Sequence, residues 1–326
     1  MAILEIRNLE VRFPMRGGEL TAIRDVSFSI DRGERLGIVG ESGAGKSVAA
    51  FAILRLIGRP GYISGGQILF KGNDLAALSP EQLRRFRGNQ ITMIFQDPMM
   101  TLNPVLTIGT QMIECLQTHK GMGKQEARAV AVEKLRAVAI PSPEARIDQY
   151  PHELSGGMRQ RVVIAIALLT DPAIIIADEP TTALDVTIQS EIMALLLELC
   201  ESRQVALILI THDLGVVAEV TRRAIVMYAG RIVEEGPTRH IIEQARHPYT
   251  HGLIDALPER TRPGQRLNQI PGSMPSLMQI PTGCAFHPRC EYARELCRRE
   301  VPGYTRFDHS RVACHRVAAL EKGESF

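Results

Sequence analysis

"RLGIVGESGAGKSVAAFAILRLI", residues 35–57, is the stretch from which the fold of this chain follows. "RLGIVG" reads as a short buried strand, and "KSVAAFAILRLI" reads as a helix. Between them "GESGAGKS", Gly40 to Ser47, fits the P-loop pattern G-x-x-x-x-G-K-[ST] in the strand–turn–helix setting that the motif requires. Glycines allow the backbone N–H groups of Gly40, Glu41, Ser42, Gly43, Ala44 and Gly45 to curl around a β-phosphate. The helix start, through Val48, adds its positive end. Lys46 would then neutralise the β/γ oxygens, and the Ser47 hydroxyl would take a place on Mg²⁺.

Outward from this turn the pattern is that of an α/β protein. Residues 3–13 and 22–30 alternate as strands on either side of a turn-prone "MRGGE", and "GGQILFKG" reads as another strand. From Pro80 to about Leu169 the pattern is mostly helical, broken at "DPMMTLNP" and "IPSPEARIDQYP". Two apolar strands follow, "AIIIA" and "VALILIT". Between them "TIQSEIMALLLELC" places Ile188, Ile192, Leu195, Leu196 and Leu199 on one helical face. Apolar strands without alternation, separated by helices, indicate a parallel sheet covered on both faces. From Pro258 the sequence turns to Pro, Gly and Arg with little to build a core. The expected domains are therefore 1–257, with a helical subdomain at about 80–169, and an extension over 258–326.

Composition narrows the setting. The chain has 326 residues, 45% hydrophobic and 23% charged, with a net charge of +2, so no pull toward nucleic acid is expected. The start "MAILEIRNLEVRF" lacks the charged and apolar regions of a signal peptide. The longest apolar run, "VVIAIALL", is far short of the roughly 20 residues that cross a bilayer. A soluble chain in a reducing compartment is the expectation, which weighs against disulfides.

A second acidic element supports nucleotide hydrolysis. "AIIIADEP" is an apolar strand ending in Asp178 and Glu179; the first carboxylate would reach Mg²⁺, and the second can orient and deprotonate the attacking water. "LSGGMRQR" (Leu154 to Arg161) leads Ser155, Gly156 and Gly157 into a helix, a second anion-binding helix start that the chain's own nucleotide does not need. With Gln96 in "IFQDP", Asp185 ending "ALD" and His212 in "ITHD", these motifs resemble the ATP-binding cassette (ABC) ATPases in order and spacing.

That resemblance implies a P-loop cassette with a RecA-like parallel sheet core, an antiparallel β subdomain and an α-helical subdomain. Two cassettes would pair head to tail, each ATP being closed by the partner's signature residues Ser155, Gly156, Gly157 and Gln160. It further implies that Phe13 stacks on adenine, that Gln96 touches Mg²⁺ or water and reports to a membrane partner, and that His212 contacts the γ-phosphate. Asp185 would communicate across the dimer, and Glu179 would be the catalytic base.

The tail resembles a narrower family. "RHPYTHGLIDALPE" (Arg246 to Glu259), "PGSMPSL", "PTGCAFHPRCEYA" and "VACH" are similar to the C-terminal extension of dipeptide/oligopeptide (and nickel) importer ATPases. "IFQDPMMTLNP" matches the segment where those ATPases receive the coupling helices of membrane subunits. Glu291 departs from the family, which has Pro after the second cysteine.

The resemblance implies a related second ATPase subunit in a heterodimer, two membrane permease subunits and a periplasmic or extracellular solute-binding protein. It places the chain at the cytoplasmic face of the inner membrane. An ABC ATPase of another class, an exporter motor or soluble assembly factor, stays open, as do nickel or glutathione-like solutes.

Of six cysteines, Cys115 and Cys200 lie in apolar helical contexts, while Cys284, Cys290, Cys297 and Cys314 form C-x5-C-x6-C-x16-C. A stretch this poor in apolar residues needs something other than burial to hold it. Zinc sites usually carry a tighter cysteine pair. Four thiolates on wider spacing suit a 4Fe–4S cluster, to which the family resemblance also points; zinc remains the alternative.

Overall fold

The computed structural model describes residues 2–182, 184–257 and 268–321. The expected domain boundary at Pro258 lies outside the described residues. In chain order the elements are β1 (Ala2–Met15), β2 (Gly18–Asp31), β3 (Arg35–Val39), α1 (Lys46–Ile53), β4 (Tyr62–Phe70), β5 (Asn73–Asp74) and β6 (Ile91–Ile94). The next are α2 (Ile108–Lys120), α3 (Lys124–Ala137), α4 (Gly156–Ala167), β7 (Ile174–Asp178), α5 (Val186–Arg203) and β8 (Ala206–Ile210). The last are α6 (Leu214–Val220), β9 (Arg223–Tyr228), β10 (Arg231–Pro237), α7 (Pro248–Asp255), β11 (Tyr304–Phe307) and β12 (Ser310–Ala313); shorter helices are named by their residues.

The chain divides into two compact units, one formed chiefly by residues 77–208 and the other by 2–30, 35–76 and 209–326. In the first, β6 and β7 pair in parallel, Ile91 opposite Ile174 through Ile94 opposite Ala177. The Ala206 N–H of β8 donates to Ala173 O at 3.0 Å. Strand β7 is buried at every position, which explains its unbroken apolar sequence. Helix α2 begins at Thr107, whose hydroxyl accepts from Thr110 N–H. It buries Ile108, Met112, Ile113 and Leu116 and packs on α3, which turns Ala127, Ala131 and Leu135 inward.

Strand β6 corrects the expectation of a helical stretch from Pro80 onward. "ITMI" is too short for periodicity to separate strand from helix, and its burial comes from β7. Likewise α1 stops at Ile53 rather than continuing to Ile57. Arg55 adopts φ 50°, and Leu56 N–H reaches back to Phe51 O at 2.7 Å, closing the helix in the manner of a left-handed cap.

In the second unit, an antiparallel sheet runs in the order β2-β1-β4-β5, with Leu4 opposite Phe70 and a bulge near Glu10. The other strands of this unit run β11-β12-β10-β9-β3. There β3 and β9 are parallel, while β9, β10, β12 and β11 follow antiparallel. The extension thus contributes a hairpin, β11–β12, to the edge of β10. It also inserts Phe286 into a core with Tyr228, Tyr249, Val226 and Ile254. The tail is poor in apolar residues because it borrows a core already built by residues before 258.

Candidate functional site

The P-loop belongs to the second unit. Gly40 has φ 152°, and a Cβ there would lie 2.3 Å from Met227 O, so only glycine lets β3 turn into the loop against β9. Ala44 O accepts from Gly230 N–H at 2.9 Å, pinning the loop to the β9–β10 turn. Lys46 is buried at 6% exposure; its Nζ donates to Gly40 O at 2.7 Å and Glu41 O at 3.1 Å. The ammonium is thereby held across its own loop. Ser42 and Gly43 are exposed at the loop's tip, and Ser47 and Val48 are half-buried in the first turn of α1.

One expectation is corrected here. The Glu41 N–H does not line the cradle; it donates to Tyr249 Oη at 2.8 Å. The Glu41 carboxylate is held by both terminal nitrogens of Arg289, at 2.7 and 3.0 Å. Tyr249 and Arg289 lie 208 and 248 residues away, and no pattern in the sequence links them to the loop. In the same unit Phe13, on β1, packs its ring onto Gly61, where a Cβ would meet Phe13 Cε1 at 2.4 Å. His212 is exposed just after β8. It is followed by Asp213, which caps α6 by accepting from Gly215 N–H at 2.8 Å.

The first unit carries the acidic and signature elements. Asp178 ends β7 and is 5% exposed. Glu179 follows with φ 46°, a left-handed conformation uncommon for a residue with a side chain and typical of strained functional turns. Gln96 Nε2 donates to Glu179 Oε2 at 3.1 Å, and Thr182 Oγ1 donates to the same oxygen at 3.0 Å. Gln96 and Glu179, singled out separately in the sequence, are therefore joined; Thr182 was not anticipated.

Ser155 caps α4, accepting from Met158 N–H at 3.3 Å, and Ser155 and Gly156 are exposed at the start of this helix of 12 residues. Gly157 allows close approach to α5, since a Cβ there would meet Ile188 Cγ2 at 3.1 Å. Gln160 is corrected: it is fully buried at 0% exposure, whereas a contact with a partner's nucleotide needs an exposed group. One helical turn beyond Gly156 and Gly157, it falls on the inward face of α4. Asp185 is exposed and begins α5 without a capping bond from its side chain. Gln189 holds the loop before it, donating to Thr181 O and Leu184 O at 3.1 and 3.0 Å.

The four tail cysteines, in the second unit, all line one small cavity of about 20 Å³ that also touches His247, His287 and His315. His287 Nδ1 lies 3.0 Å from Cys284 O, and His315 Nε2 lies 2.9 Å from Glu300 O. Burial pushes the Cys284 thiol up to about 12 and raises those of Cys290 and Cys314. Metal binding here must therefore displace protons. Among the described residues no three metal-ligating side chains converge on a single-ion position. His247 is buried and its ring is pushed down to about 3 by desolvation. It stays neutral, and Nδ1 accepts from Tyr249 N–H at 3.0 Å.

A P-loop with buried lysine, an acidic strand end and a Ser-Gly-Gly helix start exposed at Ser155 and Gly156 together define an ABC cassette. A family model for the ABC transporter matches residues 23–182, and one for the oligopeptide/dipeptide transporter C-terminal region matches residues 233–297. The chain is 48% identical over 315 residues to the dipeptide transport ATP-binding protein DppD of Haemophilus influenzae, covering 97% of this chain and 96% of that one. It is 49% identical over 310 residues to the oligopeptide transport ATP-binding protein OppD of the same organism, covering 95% of each. Among solved structures, a dimeric post-hydrolysis ATP-binding cassette bound to ADP and Pi aligns with TM-score 0.65 at 30% identity, over 72% of this chain and 99% of that one. The chain belongs to the ATP-binding subunits of ABC transporters, within the family of peptide, dipeptide and oligopeptide importers.

Proposed function

We propose that this chain is the ATP-hydrolysing subunit of a peptide importer, working peripherally at the cytoplasmic face of the membrane beside separate permease subunits and a solute-binding protein. The observation that carries the reading is the exposed Ser155–Gly156 helix start on a chain that has its own P-loop. Such a helix start binds anions, and its use is to close a nucleotide held by a second, related ATPase subunit in a head-to-tail heterodimer.

In this reading the P-loop N–H groups from Ser42 to Val48, with Lys46, hold the phosphates, and Phe13 stacks on adenine. Ser47 in one unit, and Asp178 and Gln96 in the other, are the groups that would supply oxygen ligands for Mg²⁺, which neutralises phosphate charge when bound. Glu179 takes the proton of the attacking water while Gln96 and Thr182 fix its carboxylate. His212 contacts the γ-phosphate, and Asp185 lies at the dimer contact. Exposed Met99 and Val105, at 41% and 75%, supply apolar surface in the segment offered to the permeases. Reconstitution with permeases and binding protein should give ATP-driven uptake of labelled di- or oligopeptides. Uptake of a nickel complex instead, with no peptide uptake, would move the solute assignment.

We further propose that Cys284, Cys290, Cys297 and Cys314 hold a 4Fe–4S cluster. What supports the reading is that all four cysteines line one cavity, on spacings wider than the tight cysteine pair usual at zinc. A cluster separates its ligands. Anaerobically purified protein should absorb broadly near ~400 nm and carry about four iron per chain, and Cys290→Ser should lose both. Colourless protein with one zinc would refute the cluster.

A further inference from the structure

An acidic side chain within a loop built to hold polyphosphate is an electrostatic liability. Glu41 occupies that place, and the extension answers it. Arg289, 5% exposed, grips the carboxylate through both terminal nitrogens. Its remaining donors are also occupied: Nε on Pro271 O at 2.8 Å, Nη2 toward Ile270 O and Gly272 O at 3.4 Å each, and Nη1 toward Tyr228 Oη at 3.4 Å. The guanidinium is therefore a rigid fork rather than a mobile surface charge. Glu41 in turn raises the Arg289 guanidinium well above its ordinary range.

Other parts of the extension and of α7 converge on the same loop. Tyr249 Oη takes the Glu41 N–H, and Tyr249 packs at 5.4 Å, centroid to centroid, on Phe286. Phe286 lies two residues from Cys284 and lines the cysteine cavity. Met274 stands against the loop's tip, where a Cβ at Gly43 would meet its Cε at 3.0 Å. Arg289 immediately precedes Cys290. The backbone that carries it is held by Arg289 N–H donating to Phe286 O and by Cys284 N–H donating to Cys297 O, at 3.0 and 2.8 Å.

We propose that Arg289 and Tyr249 are positioning residues for the P-loop, holding Glu41 turned out of the phosphate cradle so that the cysteine-bearing extension sets the chain's affinity for ATP. The inference rests on the reading of Gly40–Ser47 as an ATP site. Arg289 neutralises the carboxylate and draws it away; Tyr249 keeps the adjoining N–H facing outward. With Arg289 gone, the carboxylate would face the incoming phosphates as a like charge, a repulsion damped by partial solvation of the site.

The test is equilibrium titration of the full chain with a fluorescent ATP analogue, alongside thermal unfolding. Arg289→Ala should weaken binding roughly tenfold, with the deficit shrinking as salt rises. Turnover at saturating ATP should change far less than affinity. Adding Glu41→Gln to Arg289→Ala should restore most of the affinity, because a neutral amide no longer repels phosphate.

A purely structural role for Arg289 would not be rescued in this way. Should Arg289→Ala fold poorly, Arg289→Gln keeps donors toward the 270–272 carbonyls without the charge, and the same cycle decides. Wild-type affinity in the single variants Arg289→Ala and Arg289→Gln, or a deficit that Glu41→Gln leaves untouched, would overturn the inference while Lys46-dependent binding persists. If the wild type shows no Lys46-dependent binding, the ATP-site assignment falls first and takes the inference with it.

Discussion

Glu179→Gln should bind ATP as the wild type does and turn it over about 10²–10³-fold more slowly, the usual cost of losing one group that acts in the transition state. The geometry makes this substitution unusually clean. Glu179 Oε2 accepts from Gln96 Nε2 and Thr182 Oγ1, and an amide oxygen can accept both bonds unchanged. The left-handed backbone at 179 stays occupied by a side chain of the same shape. What is lost is the negative charge proposed to take a proton from water. Single-turnover measurements with radiolabelled ATP separate binding from cleavage. If the proposed head-to-tail pairing holds, the variant should also accumulate as an ATP-bound dimer, because the hydrolysis that releases the dimer is slowed. Near-normal turnover would remove Glu179 from the role of base.

The second large effect concerns binding itself. Lys46→Ala should lower ATP affinity by about 10²-fold, since charge-assisted hydrogen bonds contribute about 1.5–3 kcal/mol each and the ammonium in the proposed site serves several phosphate oxygens. Lys46 also ties Gly40 O and Glu41 O together, so its replacement loosens the loop as well as removing the charge. Lys46→Arg should not rescue binding. A planar guanidinium is bulkier than the ammonium that now sits at 6% exposure between two carbonyls. Titration with ATP analogues measures both variants; wild-type affinity in Lys46→Ala would overturn the P-loop assignment.

How far the sequence could be read depended on the range of the interaction. The P-loop turn, the strand ending at Asp178 and the Ser155 cap are local, and their residue types and spacing carry the chemistry. The pairing of Gln96 with Glu179 spans 83 residues but joins two motifs already singled out. The clasp of Arg289 and Tyr249 on Glu41 joins a motif to residues whose only local signal was membership of a tail. Strands β6 and β11–β12 escaped for a related reason. Each is four residues long, too short for its own periodicity, and each is a strand because a neighbouring edge accepts it. Gln160 shows the opposite failure: a motif letter suggested an exposed contact, while its place on the helix turns it inward.

The hairpin on β10 has an implication for how the extension can be gained or lost. Where Glu234 and Glu235 face Val312 and Arg311, β12 occupies hydrogen-bonding groups that would otherwise form an open sheet margin, a template for pairing with other chains. A chain cut before Pro258 would bare that margin together with the aromatic faces of Tyr228 and Tyr249 that Phe286 now covers. Such a truncation is expected to self-associate in light scattering rather than persist as a dispersed monomer. The tail is then a guard against aggregation as well as a cysteine carrier, and a lineage could discard it only by redesigning the edge it covers.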